Sequence, residues 1–393
     1  MEGYIYLDNA ATTFPKLEAV YLAMDEANRT YAVNAGRGSY ALAQKAEEII
    51  QKTRKQILAL AQAKEEAEVV FTPSATLACN QILGGISWKR EDVVYVSPYE
   101  HNAVMRVLYL LQQQYGFEVE ELALHSKTLE LDLEKIKYQF IRKPPRVICM
   151  THVSNVTGYI LPVEEVASYV RESPVEVVVD GSQALGLVPV NLKDSEIDYY
   201  IFAGHKTLYG PLGVGGYIRN SLKEQKIVFA GGTGSDSLNL KMEGNYHTKM
   251  EPGSKNVGAI AGLHAALLEL GEDGDSMQKS VKMMRQREQD LFRQMAEGLG
   301  RVPGVNLYLP DRLERQSGIC SFTVEGFDSS DVGTLLDMDY GIAVRCGYHC
   351  APLIHKYLQD ESYGGTVRIS VGRFNTKKDV EALTGAVDEI VRG

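Results

Sequence analysis

The chain has 393 residues, 45% of them hydrophobic, with 41 lysines and arginines against 51 aspartates and glutamates, giving a formal net charge of −10. That length supports a large core and two lobes rather than one, and the acidic balance repels phosphate backbones, which argues against a nucleic-acid partner. No apolar run is long enough to span a bilayer, so no membrane role is expected. The opening MEGYIYLDNAATT lacks the basic-then-apolar order of a secretory signal, and five cysteines, mostly scattered and odd in number, point to a reducing, cytoplasmic setting rather than a disulfide framework.

In chain order, AEVVFT (67–72) reads as a strand, with a helix starting from Ser74. EDVVYVSP (91–98), RVICMTHVSN (146–155), VEVVVDGSQ (175–183), DYYIFAGHK (198–206) and GVGGYIRN (213–220) are further strands. Continuous Val/Ile-rich runs suit strands buried on both faces, so the expected class is α/β, a mostly parallel sheet flanked by helices. Cys149 in RVICM and Cys320 in GICSF read as buried packing residues. From about Asn256 the texture changes: GAIAGLHAALLELGE is an apolar helix and SVKMMRQREQDLFRQMAEGLG a long amphipathic one. These lead to a second domain with strands GICSFTVEG (318–326), GIAVR (341–345) and TVRISVGRF (366–374).

In sheets of this kind ligands gather beyond the carboxyl ends of the strands, and polar residues of this chain collect there. Asp180 closes VEVVVD; by position alone it is either a cleft carboxylate or a turn residue or cap. Lys206 follows a buried strand in the glycine-rich FAGHKTLYGPLGVGG, as a ligand-facing amine or a surface loop lysine. Together the two match a known pairing, a Schiff-base lysine holding pyridoxal 5'-phosphate and a carboxylate at its pyridinium nitrogen. TPSATLACN (72–80) offers a small-residue turn at a helix start, with free N–H groups and the Thr76 hydroxyl for a phosphate, or an ordinary N-cap. His101, with a pKa near neutrality, would stack on the ring and shuttle protons. Asn155 and Gln183, also at strand ends, would bond the ring hydroxyl; taken singly, any of these three is otherwise an ordinary loop residue. Arg368, inside the apolar TVRIS, needs either a substrate carboxylate or an internal salt bridge.

RCGYHCAPLIHK (345–356) gathers Cys346, His349, Cys350 and His355. Their spacing fits no common zinc pattern and no second cluster is evident, so no metal is expected.

Ten stretches in order, YLDNAATT, NAGRGSYAL, FTPSATLACNQI, EHNAV, HVSNVTG, VDGSQALG, GHKTLYGPLGVGG, EPGSKNVGAI, RCGYHCAPLIHK and TVRISVGRFNT, resemble the class V, fold-type I pyridoxal-phosphate enzymes. Within them the likeness is to the type II cysteine desulfurases and selenocysteine lyases. The resemblance implies a large domain (16–262) with a seven-stranded, mostly parallel sheet and a smaller α+β C-terminal domain (263–393) carrying the cysteine loop. An N-terminal segment (1–15) would pack on that smaller domain. It implies that Lys206 carries the cofactor and moves the α-proton, Asp180 pairs with the ring nitrogen, and His101 stacks. Ala75, Thr76 and His205 hold the phosphate, and Asn155 and Gln183 sit at the ring hydroxyl. Ser254 reaches a neighbouring subunit's phosphate, which implies a homodimer with shared sites. Arg368, with Asn155 and Ala10, binds the substrate. Cys350 is the nucleophile that takes sulfur from L-cysteine as a persulfide, its thiolate favoured by Arg345, His349 or His101, and a sulfur or selenium acceptor protein follows.

Four positions depart from the pattern. Ala203 stands where a hydroxyl is common, which implies weaker cofactor retention. Cys346 is either a tolerated small side chain or a second thiol relaying sulfur from Cys350 or bonding to it. Tyr40 and Tyr348 replace histidines. Release of selenium from L-selenocysteine is the nearest alternative activity; a class V aminotransferase and a non-catalytic sulfur carrier are remoter.

Overall fold

A computed structural model describes residues 3–35, 38, 40–233 and 238–393. The NAGRGSYAL stretch therefore falls partly outside the described residues; Tyr40, at its end, is about half exposed. The N-terminal half runs β1 (Ile5–Tyr6), α1 (Glu18–Thr30), α2 (Ala41–Leu60), β2 (Glu68–Thr72), α3 (Ala75–Gly85), β3 (Val93–Val96) and α4 (Asn102–Tyr115). It continues through β4 (Glu118–Glu121), β5 (Leu124–His125), β6 (Glu130–Leu131), α5 (Leu133–Arg142), β7 (Val147–Thr151), α6 (Val163–Ser168), β8 (Glu176–Asp180), β9 (Tyr199–Ala203) and β10 (Gly215–Arg219). The remainder comprises α7 (Tyr246–Met250), α8 (Val257–Leu268), α9 (Gly274–Leu299), β11 (Val305–Tyr308), β12 (Ile319–Val324) and α10 (Ser329–Tyr340). It ends with β13 (Ile342–Ala343), β14 (Arg345–Gly347), α11 (His355–Leu358), β15 (Thr366–Ser370) and α12 (Lys377–Arg392).

Seven strands form one sheet in the order β2-β10-β9-β8-β7-β3-β4, with β10 alone running against its neighbours. Alternate side chains of each central strand enter opposite cores, as the two-residue strand period demands. Ile148, Val177, Val179 and Phe202 face the layer of α2, α5, α6 and α8. Val147, Cys149, Val178 and Ile201 face α3 and α4. Burial on both faces explains the unbroken apolar runs. The fourth parallel pairing, β3 with β4, adds the acidic edge strand EVEE, which the hydrophobic pattern does not signal.

The smaller sheet is antiparallel, in the order β11-β12-β15-β14. Its core joins Phe322, Val367 and Ile369 to Phe292 and Met295 of α9, Leu336 of α10 and Leu383 and Val387 of α12. Leu7 enters the same core, and β1 pairs in parallel with β13. The stretch GIAVR is therefore two strands: Ile342–Ala343 pairs with β1, and the chain then turns so that Arg345–Gly347 pairs with β15.

Candidate active site

The carboxyl ends of the parallel strands open on a cavity of about 200 Å³ between the two sheets. Ala10, Ala75, Thr76, His101, Asn155, Asp180, Gln183, His205, Lys206 and Arg368 all line it, so ten of the residues singled out in the sequence meet in one place. Cys350 and Ser254 do not. Ser254 is exposed and accepts a hydrogen bond from Asn34 Nδ2 at 3.4 Å. Cys350 borders an adjoining groove, and Arg345 and His349 line both openings.

Asp180 ends β8, and its Oδ1 accepts from the Ser182 N–H at 3.0 Å. Lys206 lies beyond β9, in the turn where the Tyr209 N–H meets the Lys206 carbonyl at 2.8 Å. Burial pulls its ammonium below the ordinary lysine range, and the Asp180 carboxylate opposes that shift. His101 caps α4: its Nδ1 accepts from the Ala103 N–H at 3.0 Å. A neutral ring in that contact carries its proton on Nε2. Burial, then the Lys206 charge, pulls His101 down to about 4, which corrects the expectation of a group titrating near neutrality. His205 falls to about 4 for the same two causes, with Lys16 adding to them, and its buried Nδ1 has no partner.

Helix α3 begins at the cavity wall with Ser74 as N-cap, its Oγ accepting from the Leu77 N–H at 3.3 Å. The Ala75 and Thr76 end of this eleven-residue helix thus faces the opening. A Cβ at Gly215 would lie 3.0 Å from the Phe202 carbonyl oxygen and 3.1 Å from the Ala75 nitrogen, so glycine lets this helix start approach β9 and β10. Ser182 Oγ is buried without a partner and also lines the wall. The donors suit an aldehyde cofactor with a phosphate: one amine, one carboxylate, a helix N-terminus with a hydroxyl, and two unsatisfied polar atoms. Ala203 contributes only a methyl to the same wall.

Several side chains are already engaged. Asn155 Nδ2 donates to the His349 carbonyl at 2.7 Å and Gln183 Nε2 to the Ala10 carbonyl at 2.7 Å. Arg368 is buried, donating from Nη1 to the Asn155 carbonyl at 3.0 Å and pairing through Nη2 with Asp8 at 2.5 Å, while still bordering the cavity. The internal salt bridge expected as one reading of Arg368 is therefore present, with Asp8 as the partner. Asp8 was not singled out in the sequence, although it stands in YLDNAATT; an acidic residue in an N-terminal segment gives no local sign of a partner 360 residues on.

The cysteine stretch forms a tight turn. His349 has φ 46° and Cys350 φ 58°, two successive non-glycine residues in the left-handed region. Each costs of order 1–3 kcal/mol and persists only where the surroundings hold it. Here the Asn102 N–H donates to the Cys350 carbonyl at 2.7 Å and Asn155 holds the His349 carbonyl. Arg345 Nη2 stands 3.6 Å from Cys350 Sγ and supplies the positive charge sought in the sequence. His349 does not: burial holds its ring far below the ordinary histidine value, and Nε2 faces Thr366 Oγ1 at 2.9 Å. Cys346 borders the same groove, but its sulfur packs against the Gly333 side of α10, and burial pushes its thiol up to about 11. Both ring nitrogens of His355 are occupied, by Asp360 and by the Tyr348 carbonyl, which leaves none for a metal.

Residues 5–383 match the class-V aminotransferase family. A probable cysteine desulfurase from Pyrococcus abyssi is 30% identical, over 99% of this chain and 94% of its own length. The cysteine desulfurase of Escherichia coli O157:H7 is 31% identical, over 98% and 93%. Among solved structures, the apo cysteine desulfurase of Thermococcus onnurineus NA1 aligns with a TM-score of 0.89 at 30% identity, covering 99% of this chain and 95% of that one. An Escherichia coli cysteine desulfurase in its S-sulfonic acid form aligns at 0.82 and 28%, over 100% and 95%. The seven-stranded sheet with its smaller C-terminal partner is thus the fold-type I arrangement expected from the sequence. The chain belongs to the class-V aminotransferase family.

Proposed function

We propose that this protein is a cysteine desulfurase that uses pyridoxal 5'-phosphate to convert L-cysteine to L-alanine and receives the sulfur on Cys350. The observation that carries the reading is the strained Cys350 turn, with a guanidinium 3.6 Å from its sulfur, on the wall next to the Lys206–Asp180 cavity. When bound, the cofactor supplies an electron sink for charge developing at the substrate α-carbon. Asp180 would face its ring nitrogen, and Ala75, Thr76 and His205 its phosphate. Lys206 would hold the aldehyde and afterwards take the α-proton, a task suited to an amine whose burial lowers its basicity. Arg368, with Asn155 and Ala10 beside it, would orient the substrate carboxylate. The Cys350 thiolate would attack the substrate sulfur: an S–S bond forms, the S–Cβ bond breaks, its electron pair stays on carbon, and a proton completes alanine.

Two further points belong to the same reading. Ser254, exposed and outside its own chain's cavity, supports a homodimer in which it serves the neighbouring site. Five unpaired cysteines support a cytoplasmic setting. Among the described residues no helix is long and apolar enough to cross a membrane. The domain limits at residues 15 and 262 and a protein acceptor for the sulfur are part of the proposal.

The test compares wild type, Lys206→Ala and Cys350→Ala with L-cysteine and L-selenocysteine, measuring alanine together with sulfide or selenide. Wild type is expected to make alanine from cysteine, Lys206→Ala neither to turn over nor to hold a borohydride-reducible chromophore, and Cys350→Ala to lose cysteine turnover. Undiminished cysteine turnover by Cys350→Ala would overturn the assignment of Cys350. Turnover of selenocysteine alone by wild type would make the protein a selenocysteine lyase.

A further inference from the structure

The turn that presents Cys350 is held from behind by a buried pair that the reaction itself does not use. His355 opens α11, is 8% exposed, and directs Nε2 at the Tyr348 carbonyl, 3.0 Å away. Its Nδ1 lies 2.6 Å from Oδ2 of Asp360, which is wholly buried. A carbonyl oxygen only accepts, so Nε2 must carry hydrogen. The 2.6 Å contact at Nδ1 needs a hydrogen of its own, carried by Nδ1 or by the Asp360 carboxyl, and with it the bond fixes the ring in the plane that aims the Nε2–H. The same Tyr348 carbonyl accepts from the Ala351 N–H at 3.0 Å, closing the turn around His349 and Cys350. Two left-handed residues in succession do not stay folded unaided. On the cavity side Asn155 and the Asn102 N–H hold the turn; on the far side His355 does. Asp360 is anchored in turn, its carbonyl accepting from the Tyr363 and Gly365 N–H groups.

We infer that Asp360 and His355 are positioning residues that hold the Tyr348–Ala351 turn in its left-handed form and so keep the Cys350 sulfur beside Arg345, aimed for sulfur transfer. The pair lines the groove beside Cys350 but not the Lys206 cavity, so its effect falls on the step that needs Cys350 and not on the steps that need Lys206. The sulfur-transfer part rests on the desulfurase reading; the positioning part does not.

The experiment uses the cofactor-loaded enzyme and three readouts: amide hydrogen exchange at Ala351, persulfide formed on Cys350 from L-cysteine, and exchange of the L-alanine α-proton in deuterated water, which requires Lys206 but not Cys350. The variants are His355→Gln, which keeps a donor, and the double variant His355→Leu/Asp360→Leu, which removes both polar groups so that no carboxylate is left buried alone. The double variant is expected to speed Ala351 amide exchange and slow persulfide formation by about tenfold or more, the weight of one lost buried hydrogen bond. Alanine α-exchange should stay within about twofold of wild type, and His355→Gln should recover most of the loss. Unchanged amide exchange, or persulfide formation and α-exchange falling together, would overturn the inference. If wild type forms no persulfide at Cys350, the desulfurase reading fails, and the amide exchange alone still decides the positioning role.

Discussion

The Cys350 sulfur and the Cys346 sulfur are four residues apart, both half-buried and both on the wall of one groove, and they differ in what stands beside the sulfur. Cys350 is half-buried with the Arg345 guanidinium at 3.6 Å. Cys346 lies on the next position of β14, where the strand alternation turns its side chain towards α10 and burial raises its thiol to about 11. Cys320 is pushed to about 12, and Cys79 and Cys149 are raised by complete burial. The thiolate is the reacting form, so iodoacetamide at pH 8 should label Cys350 first and leave the other four largely unmodified until the protein is denatured. Peptide mass spectrometry over a time course checks this; labelling of Cys346 at the same rate as Cys350 would show that the strand does not shield it. The sequence offers Cys346 as a relay thiol or as a tolerated small residue, and the labelling rates bear on that choice. By contrast Lys206, Asp180 and His101 were legible because each follows an apolar run that ends where a parallel sheet places its ligands. Arg368 was half legible: the need for a partner is local, whereas Asp8 is not.

At the level of elements, the strands that the sequence marks are those buried on both faces, and the ones it hides are an edge and a split. Strand β4 is acidic because it borders solvent; Glu118 and Glu120 both pair with Lys143, at 2.8 Å in the second case. The division of GIAVR depends on β1 arriving from the far end of the chain. A third hidden feature is the buried pair that ties α2 to the end of α7. Arg54 grips Glu251 in a bidentate contact, both bonds 2.7 Å, and Glu251 Oε1 also accepts from the Phe71 N–H of β2 at 2.7 Å. Both side chains are almost wholly buried, 6% and 3% exposed. Removing Arg54 leaves the buried Glu251 carboxylate with only the Phe71 N–H and Lys255, 3.4 Å from Oε2, to offset its lost hydration, so Arg54→Met should destabilise the protein by up to about 3–5 kcal/mol. Pairing it with Glu251→Leu should recover part of that loss, because the pair as a whole contributes little net stability. Urea unfolding of both variants measures the difference; equal destabilisation of the single and double variants would mean that packing, not charge, ties these elements.

For the whole molecule, the buried ionisable groups set opposing demands on pH. His101, His152 and His205 are each held at about 4 instead of 6.5, chiefly by burial, and His264 and His349 are lowered as well. Their contribution to stability is complete above 6.5 and is lost as pH falls towards 4, because the unfolded chain binds protons that the native rings refuse. Glu100 and Glu288 are raised by burial from 4.5 to about 8. Their contribution is complete below 4.5 and is lost as pH rises through 8, because the native carboxyls keep protons that the unfolded chain releases. Between 4.5 and 6.5 the histidines outnumber the carboxyls, five lowered rings against three raised acids once Glu164, also raised by burial, is included, so stability climbs with pH. Above 6.5 the raised carboxyls pull stability down, by as much as about 1.4 kcal/mol per pH unit for each, until the lysines lowered by burial, Lys16 at about 8 and Lys206, begin to oppose them at the alkaline end. The cofactor-free protein is therefore expected to show its highest Tm near pH 6.5. Glu288→Gln, which cannot ionise, should flatten the alkaline side while leaving the acid side in place, because the lowered histidines are untouched. A thermal-melt series from pH 5 to 8 on both proteins reads this directly; a wild-type Tm that keeps rising through pH 8, or an alkaline slope unaltered by the substitution, would mean that Glu288 is ionised inside the folded protein.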